Sequence, residues 1–155
     1  MAHAILVLIS ITAQGGSISP TDVSNQLIGT WKLLAFQIEF ENGERQDAYD
    51  QAAGSLIISA DGHMSAIVTD NGRQRNDPPS SLFDRMMAYS GPYRIQGDDS
   101  FTTDVEVAWH PSWLGTEQTR YFKIERDMLW VITAPGHHPK YPGRTVRGVL
   151  TWRRG

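Results

Sequence analysis

The sequence predicts an all-β fold, an eight-stranded antiparallel up-and-down barrel with one short helix. Short β-prone runs separated by turn residues recur along most of the chain, apolar residues alternate within them, and one stretch alone has helical spacing. Closure removes the unpaired edges that an open sheet would expose, which favours a barrel over a sandwich. The interior of such a barrel is filled by side chains or holds one small ligand. At 155 residues the chain fits one domain, and a chain of this size buries roughly 70% of its unfolded surface. It has no cysteine, so disulfides and thiolate metal sites are excluded.

Residues 1–26 precede the barrel and residues 27–155 form it. The run AILVLISITAQGG, residues 4–16, reads either as the apolar part of an export signal or as a β-rich arm packed on the domain. It is too short to span a bilayer and no Lys or Arg precedes it, which favours the arm and a cytoplasmic location over an exported one. A polar linker over residues 15–25 leads into the first strand, which ends at the turn signal Asn42-Gly43. Strands 54–60 and 63–69 follow, joined by Asp61-Gly62 as a two-residue hairpin, and then a loop, NGRQRNDPP. The spacing of Leu82, Phe83, Met86, Met87 and Tyr89 predicts a helix over residues 82–89, started by a Ser81/Asp84 capping box. That helix closes one barrel mouth as a packed plug or as a lid, the plug being favoured, and its methionines suit an irregular ligand. The remaining strands fall at 91–96, 100–110, 116–125, 128–134 and 144–154.

The composition excludes several functions. A net charge of -3, with no basic run longer than Arg153-Arg154, argues against nucleic-acid binding. No Gly-rich phosphate loop is present, since DNGRQRND lacks the Lys and Ser/Thr of that motif. Ser112 in HPSWLG lacks the strand-to-helix context of a hydrolase nucleophile. His137 and His138 are adjacent on an extended loop and therefore diverge, with no spaced third ligand, so they read as solvated rather than metal-binding. His63 follows a hairpin turn and reads as surface, and His3 sits in the arm. No cofactor and no metal are expected.

Four stretches, IGTWKLLAF at 28–36, GSLIISADGHMSA at 54–66, AYSGPYRI at 88–95 and HPSWLGTEQTRYF at 110–122, resemble in order and spacing the small lipocalin-like domain family. The resemblance runs from about residue 27 to residue 154. Gly29-x-Trp31 is also similar to the G-x-W that starts the first strand of true lipocalins and other calycins. The resemblance implies that Trp31 closes one barrel end beneath Arg153 or Arg154 of the last strand, a cation–π contact worth roughly 0.5 to 2 kcal/mol. It also implies a small-molecule pocket more strongly than any reaction, some members being attached to natural-product pathways. Where that family commonly carries His ahead of a Val-Glu pair, this chain has Thr103 and Asp104 before Val105 and Glu106, so no catalytic His is carried over.

Candidate ligand-binding residues come from one strand pair and the helix. If residues 105–120 fold as two antiparallel strands about a loop centred near Trp113, Glu106 faces Arg120, Ala108 faces Gln118 and His110 faces Thr116. Phe122 and Ile124 share that face, which marks it as the interior. Glu106, His110, Gln118 and Arg120 then form a polar cluster that orients a ligand, or an ion pair that merely fills the barrel. Trp109 and Trp113 flank the loop at the rim, where aromatic side chains combine apolar area with a polar handle. Met86 and Tyr89 face the same space from the helix. The expected function is binding of a small, largely apolar molecule. The alternative is a cofactor-independent enzyme, an isomerase or cyclase, using the same cavity. A carboxylate paired with Arg120 has its pKa lowered and makes a poor general acid, which favours binding.

Overall fold

The computed structural model describes residues 20–138 and 140–155. The expected arm, with His3, lies outside the described residues. The strands run β1 (Gly29–Phe40), β2 (Arg45–Asp47), β3 (Ala52–Ile58), β4 (His63–Asp70), β5 (Met86–Gln96), β6 (Ser100–Asp104), β7 (Val107–Ala108), β8 (Glu117–Glu125), β9 (Met128–Thr133), β10 (Gly136–His137) and β11 (Thr145–Arg154). Among the described residues, two helices, α1 (Pro20–Leu27) and α2 (Pro79–Asp84), and a single 3-10 turn at Pro111–Trp113 complete it. Antiparallel neighbours follow the order β11-β9-β8-β6-β5-β4-β3-β1, and β1 pairs back onto β11, so that these eight strands form a ring. They correspond one for one to the expected strands. Among the described residues no helix is long and apolar enough to cross a membrane.

Alternation places the core. Leu56 and Ile58 on β3, Met64, Ala66 and Val68 on β4, and Leu150 and Trp152 on β11 are buried at every second position. In β1 the inward phase changes midway. Trp31 and Leu33 are buried, the register with β11 then shifts between Leu33 and Ala35, and beyond it Phe36 and Ile38 face the interior. One extra residue in a strand exchanges its faces, so this bulge lets β1 serve both the closed end and the open half of the ring.

The closed end matches expectation. Trp31 is fully buried, its indole N–H donates to the Leu27 carbonyl at 2.9 Å, and the Arg154 guanidinium carbon lies 4.1 Å from its ring centroid. Arg154 also donates to the carbonyls of Ile28 at 2.9 Å and Gln26 at 2.5 Å. The neighbouring Arg153 instead faces Asp127 at the surface.

Four local expectations are corrected. Residues 20–25, read as the end of a polar linker, form α1 together with the two residues that follow, because Val23 and Leu27 are four apart and both bury against the barrel end. The expected helix over 82–89 stops at Asp84, and Met86, Met87 and Tyr89 belong to β5. There the alternate residues Met87 and Tyr89 pair with Val68 and Ala66 of β4, and these ladder bonds override the helical spacing. No Ser81/Asp84 box forms: α2 starts at Pro78 without a side-chain cap and buries no residue, so it does not plug the barrel. The hairpin at Asp61-Gly62 has three loop residues rather than two, since Ser59 N–H bonds His63 O and Gly62 takes the left-handed φ of 91°.

The fourth correction is the expected strand 100–110. It breaks after Asp104: Val105 N–H still bonds Thr116 O of the β8 side, but Glu106 N–H bonds Ser90 O and β7 pairs with β5. The chain keeps β5 as its neighbour throughout, since β6 also pairs with it, but its register there shifts by one residue and the pairing with β8 is given up. It passes so close to Gly91 that a Cβ there would lie 1.9 Å from the Asp104 carbonyl oxygen, a contact only glycine permits.

Candidate ligand-binding cavity

The inward faces of the ring enclose a cavity of about 270 Å³. Its wall is mainly apolar, with Leu56, Met64, Val68, Phe101, Val131 and Leu150, and Trp152 also borders it. The exposed residues Ala134, Gly136, His137 and His138 mark its open end. Small-molecule pockets usually run from about 300 to 1,000 Å³, so the space suits a compact ligand.

The expected strand register does not occur. In β8, Arg120 faces Phe101, Gln118 faces Thr103 and Glu117 faces Asp104. The connection over residues 105–116 is not a symmetrical turn, because its first part binds β5, and the β8 partners move five positions toward the N-terminus of the facing strand. Glu106 is exposed on the outside and does not pair with Arg120. His110 is half-buried away from the cavity wall, where its Nδ1 accepts from the Ser112 N–H at 3.1 Å and caps the 3-10 turn.

Arg120 nonetheless lines the cavity. Its Nη1 donates to the Thr119 carbonyl at 2.9 Å and its Nη2 to Gln118 Oε1 at 3.2 Å, while its guanidinium carbon lies 5.6 Å from the Tyr89 ring centroid. Gln118 is itself held, its Nε2 donating to Thr116 Oγ1 at 3.0 Å, and the Thr116 hydroxyl donates to the Trp113 carbonyl at 2.7 Å. This chain of bonds fixes the guanidinium. Arg120 has no carboxylate partner among the described residues.

Of the other expected residues, Tyr89 and Trp113 line the cavity and meet edge to face at 5.4 Å. Trp109 sits behind Trp113 and against Phe83 of α2, at centroid distances of 6.3 and 4.2 Å. Phe122 is buried against Phe101, 6.1 Å between centroids, and contributes core rather than wall. Met86 occupies the alternate position on β5, off the wall, and its neighbour Met87 lines the cavity instead. His137 and His138, read as a solvated loop, are exposed but stand at the cavity mouth. His63 is at the surface, as expected.

Sequence reasoning missed the wall contributed by β4, β9 and β11. The signal was there in the alternation of HMSAIVTD and TVRGVLTW, whose Met64, Ala66, Val68, Val146, Gly148, Leu150 and Trp152 all border the cavity. Arg147 also reaches the mouth, and its charge is matched: Glu39 accepts from Arg147 Nε and from Arg45 Nε, each at 2.6 Å. Burial raises the pKa of the Glu39 carboxyl, but the two guanidinium groups outweigh it and hold the group below the usual carboxylate range.

A family model described as a lipocalin-like domain matches residues 28–155. No curated protein matches the chain.

Proposed function

Because the chain belongs to the lipocalin-like domain family, a family whose barrels bind small hydrophobic molecules in general, we propose that this protein binds a small, largely apolar molecule inside its ring of strands. The observation that carries this reading is the cavity of about 270 Å³, walled mainly by apolar side chains and open at the end opposite Trp31. Burying apolar ligand surface there gains about 25 cal/mol per Å² before the entropy of association is deducted. The Arg120–Gln118–Thr116 chain and the Tyr89–Trp113 pair supply one fixed polar position in an otherwise apolar site, the pattern by which such pockets orient a ligand.

The test uses N-phenyl-1-naphthylamine, a neutral dye that brightens in apolar surroundings. Saturable binding at one site per chain is expected. Ala66→Phe, which fills the cavity from β4, should abolish the signal while the protein stays folded by circular dichroism. A dye that does not bind the wild type, or binds Ala66→Phe equally well, removes the cavity from consideration.

A further inference from the structure

We propose that the molecule held in this cavity carries one anionic group, a carboxylate or its chemical equivalent, and that Arg120 and Thr133 bind it. This rests on the reading of the barrel as a holder of a small apolar ligand.

The charge inventory of the wall comes first. Arg120, Arg147, His137 and His138 border the cavity, and no Asp or Glu does among the described residues. Arg147 is engaged by Glu39. Arg120 is different, because its two hydrogen bonds go to neutral acceptors, the Thr119 carbonyl and Gln118 Oε1. A guanidinium has five N–H donors, so donors remain for an incoming group.

The second observation is cross-strand geometry. Thr133 of β9 faces Arg120 directly and also lines the cavity. Its Oγ1 accepts from the Gly148 N–H at 2.8 Å, which leaves the hydroxyl proton to donate. A cation and a hydroxyl donor thus stand side by side on adjacent strands. Phe101, on the other side of Arg120, and Tyr89 make the surroundings apolar, where a charge-assisted bond is stronger than in water. Placing a lone cation in such a wall is costly unless something neutralises it, and the chain's own carboxylates are elsewhere: Glu106 is exposed, and Glu117 and Asp104 hold Arg94.

The experiment displaces bound N-phenyl-1-naphthylamine with octanoate and with octanol, which share a chain length and differ in the head group. The alcohol is the more apolar of the two and wins in a cavity that recognises apolar surface alone. Octanoate is expected to displace the dye at a concentration about tenfold or more below that of octanol, the scale of one charge-assisted hydrogen bond. Arg120→Met should erase that preference, so that octanoate and octanol displace the dye at similar concentrations, Arg120→Lys should keep part of it, and Thr133→Val should reduce it. Octanol equal to or better than octanoate on the wild type overturns the proposal, even if Arg120→Met does not fold. A preference that survives a folded Arg120→Met also overturns it. If the dye itself fails to bind the wild type, the underlying reading of the cavity falls, and the anion site falls with it.

Discussion

Arg154 and Arg120 show how one side-chain type does two jobs in this barrel. Arg154 lies over the buried Trp31 and bonds two backbone carbonyls, Ile28 and Gln26, so it ties the last strand to the segment before the first. Arg154→Met should lower unfolding stability by about 2 kcal/mol, from a lost cation–π contact and lost hydrogen bonds to a charged group. Urea unfolding followed by tryptophan fluorescence measures this, and a change under about 0.5 kcal/mol would show that the lid over Trp31 is ornamental. Arg120 faces the cavity without a carboxylate. Glu106→Gln should therefore change stability by less than about 0.5 kcal/mol, as for other surface substitutions. In combination with Arg120→Met its effect should add, since the two groups do not touch; a coupling above about 1 kcal/mol would restore the cross-strand pair that the register excludes.

At the level of elements, the passage from β6 to β7 is the most demanding feature. Asp104 and Glu106 cross directly against Gly91, and the contact leaves no space for a side chain. Gly91→Ala should cost about 3 kcal/mol or prevent folding, because backbone on both sides would have to shift. Thermal unfolding checks this, and a neutral result would mean that the crossing is looser than the structure shows. A second device closes the β4–α2 connection. The Asp70 carboxylate is buried and accepts from the N–H groups of Gln51 at 3.2 Å and Gly72 at 2.9 Å and from Arg85 at 2.8 Å, and Arg85 also holds Asp77. Burial raises the Asp70 pKa, but the hydrogen bonds from Gly72, Arg85 and Gln51 more than offset it and the group stays below the ordinary carboxylate range. A carboxylate depressed in this way contributes stability that is present above its unfolded pKa and lost as pH falls through the folded value, so the loss begins below about pH 4. Asp70→Asn should be destabilised by about 2 kcal/mol at pH 7 and lose less than the wild type between pH 5 and pH 3. Urea midpoints across that range compare the two, and parallel curves would remove Asp70 from the acid response.

The whole molecule is a ring whose two ends differ. At one end α1, Trp31 and Arg154 seal the interior, and at the other the exposed stretch from Ala134 to His138 leaves it open. The β1 bulge connects the two halves by exchanging which side chains face inward. A ligand of the proposed kind would enter at the His137–His138 mouth and stop short of Trp31, with Trp152 bordering the space between. The Trp152 indole N–H has no partner among the described residues, which leaves a buried donor at the cavity. Trp152→Phe removes that unpaired donor together with part of a buried ring system, and should cost about 1 to 3 kcal/mol, as large-to-small core changes do. It should also alter dye affinity more than Trp109→Phe, because Trp109 stands behind Trp113 and off the wall. Equal effects on dye titration would place Trp152 outside the site.

The sequence by itself determined the eight strands of the ring and its closure, while the family resemblance implied a seal over Trp31 by Arg153 or Arg154, of which the structure places Arg154 there. The strands rest on local signals, period-two alternation and turn residues at Asn42-Gly43 and Asp61-Gly62. The inward direction of Arg120 was legible for the same reason, since it alternates with Phe122. Tertiary structure decided everything that depends on which strand a segment chooses as its neighbour. Residues 86–89 carry helical and strand spacing together, and the free ladder edge of β4 selected the strand. Residues 105–108 stay on β5, which β6 already pairs with, shift register by one as they pass Gly91 and give up β8, which puts Glu106 outside and leaves Arg120 without its expected partner. Pairing energy comes from backbone groups common to every residue, so it leaves little trace in side-chain pattern, and register between distant strands is set when the ring closes around its core.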